Sequence, residues 1–210
     1  MFSYPNESGR FAHGERGYAV VDLETTGFAA DGPDRIVEIA IVRLDQDGRE
    51  LGVFETLVNP LRDVGPTAVH GITPAMAAAA PPFEEIAPSV LAWLDGVVIV
   101  AHNAPFEEAF LDAEFGRAGL TVPQLPAVDT LPLAQSTIDL PNHKLATLCA
   151  WAGVDLVAAH TALGDALATA HLLPMLIGRS GHPRWQTEIP RLGYTVSGRY
   201  YPRSGITAGV

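Results

Sequence analysis

The apolar positions of this chain fall into two periods. Tyr18-Ala19-Val20-Val21 is an unbroken apolar run, residues 35–44 are mostly β-branched, and 51–58 and 97–101 follow in the same manner. Short apolar runs without alternation predict strands covered on both faces. Elsewhere the period is helical. Phe83, Ile86, Val90, Trp93 and Leu94 form one stripe, Phe106, Ala109, Phe110 and Ala113 a second, and Leu163, Ala166, Leu167, Ala170, Leu173 and Ile177 a third. Asn142 is positioned to cap a further helix over about 143–152, with Gly153 after its end. A short fifth strand is expected over 126–130. Asp45-Gln46-Asp47-Gly48 is a turn between the second and third strands, so the first three strands are expected to form an antiparallel meander. Pro88 requires its helix to start close before it, and Pro174 should kink or shorten the last helix. Residues 59–82, rich in Pro, Gly and Ala, read as a loop with a short helical piece. Residues 1–16 lack periodicity and are expected to be flexible. The body is then one α/β domain over 17–178, with a tail over 179–210.

Charge alters this picture in one place. The chain has 210 residues and a formal net charge of −11, which argues against a non-specific nucleic-acid coat. The tail, however, carries five arginines against one acid, leaving eight bases and 23 acids in the body. Trp185, Tyr194, Tyr200 and Tyr201 interleave with those arginines. The pattern suits stacking on single strands with phosphate contacts, and equally a tail that is disordered or partly packed. Cys149, the only cysteine, lies in an apolar helical pattern and reads as core; no zinc spacing is present. No apolar run approaches the roughly 20 residues of a membrane span, and the first residues lack the apolar stretch of a signal peptide. The expectation is a cytoplasmic protein without membrane contact.

Candidate chemistry gathers at the ends of these elements. Asp22 and Glu24 are two apart in a strand and point to one side. Two such carboxylates repel unless a proton or a cation neutralises them. Thr25-Thr26-Gly27 then turns the chain and leaves the pair at an edge. In the helix after His102 and Asn103, Glu107 has Phe110 and Leu111 as its i+3 and i+4 neighbours, at the border of the buried face. Glu108 has Asp112 at i+4 and is expected to face water. His160 and Asp165 lie five apart and cannot meet from mid-helix. They can meet if His160 precedes the helix and Asp165 sits on its first turns.

Asp22-Leu23-Glu24-Thr25-Thr26-Gly27 resembles the first motif of the DEDD exonuclease superfamily. Ala101 to Glu107 resembles the second, and His160 to Asp165 the third in its histidine-bearing DEDDh form. Val69-His70-Gly71-Ile72-Thr73 is similar to the pattern of the epsilon-type members, relatives of RNase T and oligoribonuclease. The resemblance covers about 17–178. It implies an RNase H-like fold: a mixed five-stranded sheet, three antiparallel strands then two parallel, flanked by helices. It implies a metal-dependent 3′–5′ exonuclease that releases nucleoside monophosphates from a single-stranded or frayed 3′ end of DNA or RNA, and admits a DNA polymerase subunit as a partner. Asp22, Glu24, Glu107 and Asp165 would hold two Mg²⁺ or Mn²⁺ ions, and His160 would be the general base. Thr25 and His70 would contact the terminal nucleotide, with His102 and Asn103 shaping the pocket. Phe106 would meet a base, although its stripe also suits core packing. One position departs: the second motif normally ends in aspartate, where this chain has Glu107. A catalytically weakened nucleic-acid-binding module, or a polymerase accessory module, is the alternative that this departure leaves open.

Overall fold

The computed structural model describes residues 1–5, 10–11, 17–180, 184–185 and 189–203. Its strands are β1 (Phe2–Ser3), β2 (Arg10–Phe11), β3 (Tyr18–Thr25), β4 (Ile36–Leu44), β5 (Glu50–Leu57), β6 (Val98–Ala101), β7 (Leu125–Asp129) and β8 (Arg184–Trp185). Its helices are α1 (Thr67–His70), α2 (Pro74–Ala79), α3 (Phe83–Leu94), α4 (Ala104–Arg117), α5 (Thr130–Thr137), α6 (Leu145–Ala152) and α7 (Ala162–Ser180). The main sheet has the order β1-β7-β6-β3-β4-β5. β3, β4 and β5 form the antiparallel meander, while β6, β7 and β1 add in parallel. The parallel steps use α3 and α4 as crossovers, as parallel pairing requires.

Both faces of β3 and β4 are covered, which is why neither strand alternates. Tyr18, Val20, Ala40 and Val42 pack against Ala166, Ala170 and Leu173 of α7. The opposite parity, Ala19, Val21, Ile39 and Ile41, packs against α3 and α4 through Phe83, Val90, Phe110 and Phe115. α5 and α6 form an outer layer on α7, with Cys149 in that cluster as its apolar surroundings foretold.

Four expectations are corrected. The sheet has six strands rather than five, because Phe2 and Ser3 pair with Leu125 and Pro126 and Phe2 is buried. The start of the chain is therefore tied down, while residues 6–9 and 12–16 of the segment expected to be flexible lie outside the described residues. A helix that sequence periodicity missed, α5, follows β7 directly; the Asp129 side chain caps it by accepting from the Leu131 amide at 3.0 Å. α7 runs through Pro174 to Ser180. The proline ring is exposed and lies against the β4–β5 turn, where a Cβ on Gly48 would come within 2.7 Å of it.

The tail folds back over the edge of β5 and the end of α3. Arg191 pairs with Asp95 at 3.1 Å, and the Leu192 amide donates to the same carboxylate. The Tyr200 ring stands edge-on to Phe54 with centroids 5.1 Å apart, and its hydroxyl lies 2.8 Å from Ser89 Oγ. The Tyr201 carbonyl accepts from the Leu57 amide at 3.0 Å. Among the described tail residues the packed form is thus the one observed, and the Trp185 side chain lies outside them. No helix among the described residues is long and apolar enough to cross a membrane.

Candidate active site

The site is built where the central strand runs out. Asp22 and Glu24 share the parity of Tyr18 and Val20, so both side chains face α7. Glu24 stands opposite Glu38 of β4, and the register shifts just beyond, between Glu24 and Thr25. Such a bulge bends a strand and re-aims the residues after it. Thr25 is buried and donates to the Gly27 carbonyl at 2.7 Å, while the Thr26 hydroxyl donates to Asp34 at 2.9 Å. A Cβ on Gly27 would fall 2.3 Å from the Asp34 carboxylate, so a larger residue there would displace Asp34 from Thr26. Phe28 comes next on the loop, 91% exposed, with its ring 6.3 Å from that of Phe106.

α4 starts from the end of β6. Asn103 takes a left-handed conformation (φ 76°), and its amide donates to Asp129 at 3.0 Å. Its side chain makes no cap, and Pro105 occupies the first turn, where a missing N–H costs nothing. Glu107 is buried on that turn, and its Oε2 has no hydrogen-bond partner. Glu108 is corrected: rather than facing water, its carboxylate receives the Met1 amine at 3.1 Å, the Phe2 amide and the Tyr4 hydroxyl at 3.0 Å.

The third piece is the start of α7. Two left-handed residues, Ala158 and His160, wind the chain into it. Thr161 Oγ1 accepts from the Gly164 amide at 3.1 Å, and Glu38 Oε2 accepts from the Ala162 amide at 3.0 Å. Asp165 lies in the first turn of α7, where its amide donates to the Thr161 carbonyl at 3.1 Å. The exposed His160 precedes the helix, which is the arrangement that lets both residues serve one point.

One carboxylate oxygen from each of Asp22, Glu24 and Asp165 lies within 4.8 Å of the others. Glu107 is outside that trio but is the like-charged neighbour that acts most strongly on Asp22. Burial first, then the charges of Glu107, Asp165 and Glu24, push the Asp22 carboxyl well above its usual range. Burial, then Glu38, raises Glu24 to about 7. Burial raises Glu107 to about 8 and Asp165 by a smaller amount, with the nearby Asp129 adding to the first. A cluster of buried carboxylates that all shift upward for want of positive charge fits a cation. The donors are all carboxylate oxygens, the ligand class that hard divalent ions prefer. The orphaned Oε2 of Glu107 is a ligand atom with no other task.

The remaining candidates divide. His102 is half-buried, with one ring nitrogen 2.9 Å from Thr130 Oγ1 and the other 2.9 Å from the His143 carbonyl; burial lowers its pKa. It braces the wall of the site. His70 is 1% exposed, its Nδ1 accepts from the Ile72 amide at 3.0 Å and its Nε2 meets the Val64 carbonyl at 3.2 Å. What its ring does in this structure is hold the 59–82 loop. Phe106 is half-buried between Phe28 and Phe110. Sequence reasoning missed Phe28, Glu38 and Asp129. An apolar residue just past the Thr-Thr-Gly turn, and an acid inside the apolar run of β4, were the signals available.

The family model described as Exonuclease matches residues 19–173. A DNA polymerase III subunit epsilon-like protein of Rhodobacter capsulatus is 42% identical over 172 residues, which is 77% of this chain and 24% of that relative. The chain thus spans about a quarter of that relative's length. Exonuclease X, solved in complex with 5′ overhanging duplex DNA, is 28% identical and superimposes with a TM-score of 0.65 over 80% of this chain and 95% of that one. The nuclease domain of 3′hExo, a DEDDh family member solved bound to rAMP, shares the fold with a TM-score of 0.68 at 17% identity, over 81% of this chain and 96% of that one. The match over residues 19–173 covers most of the chain, which therefore belongs to the Exonuclease family.

Proposed function

We propose that this chain is a catalytically competent 3′–5′ exonuclease that removes nucleoside monophosphates from single-stranded or frayed 3′ ends. The observation that carries the reading is the carboxylate trio of Asp22, Glu24 and Asp165, brought together from β3 and the start of α7, with the buried Glu107 of α4 acting on Asp22. Two divalent ions, Mg²⁺ or Mn²⁺, would supply activation of the attacking water and neutralisation of charge on the phosphoryl oxygens and the leaving 3′-oxygen. Asp22, Glu24 and Asp165 would hold the metal, with the unpartnered Oε2 of Glu107 as a further ligand. His160 takes the proton from the attacking water. Its exposure lets that proton leave to solvent.

Phe28 serves as a stacking surface for the terminal bases, backed by Phe106. Phe28 is 91% exposed and its ring stands edge-on to that of Phe106 at 6.3 Å, which leaves a face free for a base. Because stacking on an aromatic is sequence-tolerant, Phe28→Ala is expected to raise KM about tenfold on any single strand while leaving kcat nearly unchanged. Steady-state kinetics on poly-dT and poly-dA oligonucleotides would expose a base-selective loss, which would contradict stacking.

The test of the function is degradation of a labelled strand. A 5′-labelled oligonucleotide should shorten stepwise from its 3′ end in Mg²⁺ or Mn²⁺ and stay intact in chelator. Endonucleolytic fragments, or no shortening with either ion, would overturn the reading. Matched DNA and RNA strands in the same assay decide the preferred sugar. The name of the epsilon-like relative supports a DNA polymerase subunit as a partner, and co-elution with a replicative polymerase subunit in gel filtration would test it.

A further inference from the structure

The tail delivers one charged group to the interior beside the site. Arg203 lies beyond residues 19–173, the part that matches the family. Tyr201, two residues earlier, is fastened to the edge of β5 by a bond in each direction: its amide donates to Thr56 Oγ1 at 3.0 Å and its carbonyl accepts from Leu57. That fixes the strand-like approach of the segment and aims the Arg203 side chain inward. There Nη1 donates to the His70 carbonyl at 2.6 Å and lies 3.5 Å from Glu38 Oε2. The guanidinium rests on Gly71, where a Cβ would meet Nη2 at 2.8 Å. Glu38 is fully buried, and the same Oε2 accepts the Ala162 amide at 3.0 Å. Glu38 is therefore a cap for α7 supplied from another element. It is also the cross-strand neighbour of Glu24.

We propose that Arg203 is a positioning residue for the active site, acting through Glu38 to fix the start of α7 and with it His160 and Asp165. The inference rests on the exonuclease reading above for its effect on turnover, and on geometry alone for its effect on order. A buried carboxylate beside another acid needs a counter-charge to stay where it is. Arg203 supplies that charge and also ties Glu38 to the loop that carries His70. Three separate pieces, β4, the 59–82 loop and the start of α7, are thus joined at one guanidinium. Without it, Glu38 has Glu24 for a neighbour and only one amide to hold it. The first turn of α7 then loses a fixed acceptor for Ala162, and His160, two residues before Ala162, moves with it, as does Asp165, whose amide bonds to the Thr161 carbonyl.

The experiment uses the full chain with Arg203→Ala, Arg203→Lys, Glu38→Gln, the double variant Arg203→Ala/Glu38→Gln, and Arg199→Ala as a control for tail charge. By analogy with partners that orient metal ligands, Arg203→Ala should lower kcat about tenfold with KM within about twofold of wild type. Arg203→Lys should recover most of the loss. The double variant should be no worse than Glu38→Gln alone, because the two residues act as one unit. Arg199→Ala should change nothing. In metal-free protein, hydrogen exchange over 158–166 should speed up in Arg203→Ala and not in Arg199→Ala. A loss carried by KM and shared with Arg199→Ala would make the tail a phosphate contact and overturn the proposal. So would additive losses in the double variant, or unchanged exchange at the start of α7. If wild type cleaves nothing in either ion, the exonuclease reading fails, and the exchange measurement still decides the role of Arg203.

Discussion

Asp22→Asn is expected to lower turnover by about 10³-fold or more while making the metal-free protein more stable at pH 8 than wild type. The two effects have one origin. Asp22 is the member of the cluster most surrounded by like charge, with Glu107, Asp165 and Glu24 all acting on it. Its carboxyl, like Glu24 at about 7 and Glu107 at about 8, titrates in the folded chain above its unfolded value. Across that interval the folded state binds more protons than the unfolded one, so stability falls as pH rises. The stability these acids contribute is complete below their unfolded values near 4.5 and is lost through pH 7 to 8. The asparagine removes one charge, relieves the others, and flattens that slope. Thermal melts in chelator should show Asp22→Asn level with wild type near pH 4.5 and higher by about 5 °C or more at pH 8. Saturating Mn²⁺ should reverse the order, because only wild type binds the ion tightly and binding stabilises by mass action. A wild-type melting temperature that is flat from pH 5 to 8 in chelator, or an Asp22→Asn variant that keeps its turnover, would mean that the acids are ordinary solvated groups.

The legible part of this chain was the part with a period or a spacing. Unalternating runs located β3, β4 and β6, because strands buried on both faces need apolar residues at every position. The two-residue spacing put Asp22 and Glu24 on one side, and the order His160 then Asp165 fixed the geometry at the start of α7. What stayed hidden depended on distant partners. Glu38 sits in the middle of an apolar strand, and its meaning comes from the Ala162 amide and from Arg203, each over a hundred residues away. Glu108 looked solvated from its own helix, since its i+4 neighbour is an acid. Its actual partners are the first residues of the chain, brought alongside by the pairing of β1 with β7. α5 was missed because its proline and short span hide the period, while the cap that starts it, Asp129, doubles as the last residue of a strand. Arg203 counted toward a basic tail, yet a guanidinium's role depends on whether its carboxylate is in water or in the core.

Glu107 stands where the motif it resembles has aspartate, and its surroundings give that difference a physical consequence. Its carboxylate is 4% exposed, with one oxygen unpartnered and Asp22 as its charged neighbour. A side chain one methylene longer than aspartate, starting from a helix whose position is set by Pro105 and by the Asn103–Asp129 bond, must fold or be bridged by water to ligate an ion. Mg²⁺ demands a near-ideal octahedron, whereas an ion with looser demands tolerates the mismatch. Wild type is therefore expected to turn over faster in Mn²⁺ than in Mg²⁺, and Glu107→Asp to narrow the gap by raising the Mg²⁺ rate. Glu107→Gln should cost about 10²-fold in either ion, because an amide cannot supply the charge that a hard cation requires. Glu108→Gln is the matched control one residue away. It keeps an oxygen for the Phe2 amide and loses the ion pair with Met1 and an acceptor for the Tyr4 hydroxyl, so its rate should stay within about threefold of wild type and its melting temperature should fall slightly. Single-turnover cleavage of one oligonucleotide by the three variants in each ion reads all of this at once. Equal losses for the two glutamines would remove Glu107 from the metal site, and a Glu107→Asp variant with an unchanged Mn²⁺-to-Mg²⁺ ratio would show that the extra methylene is already absorbed by the fold.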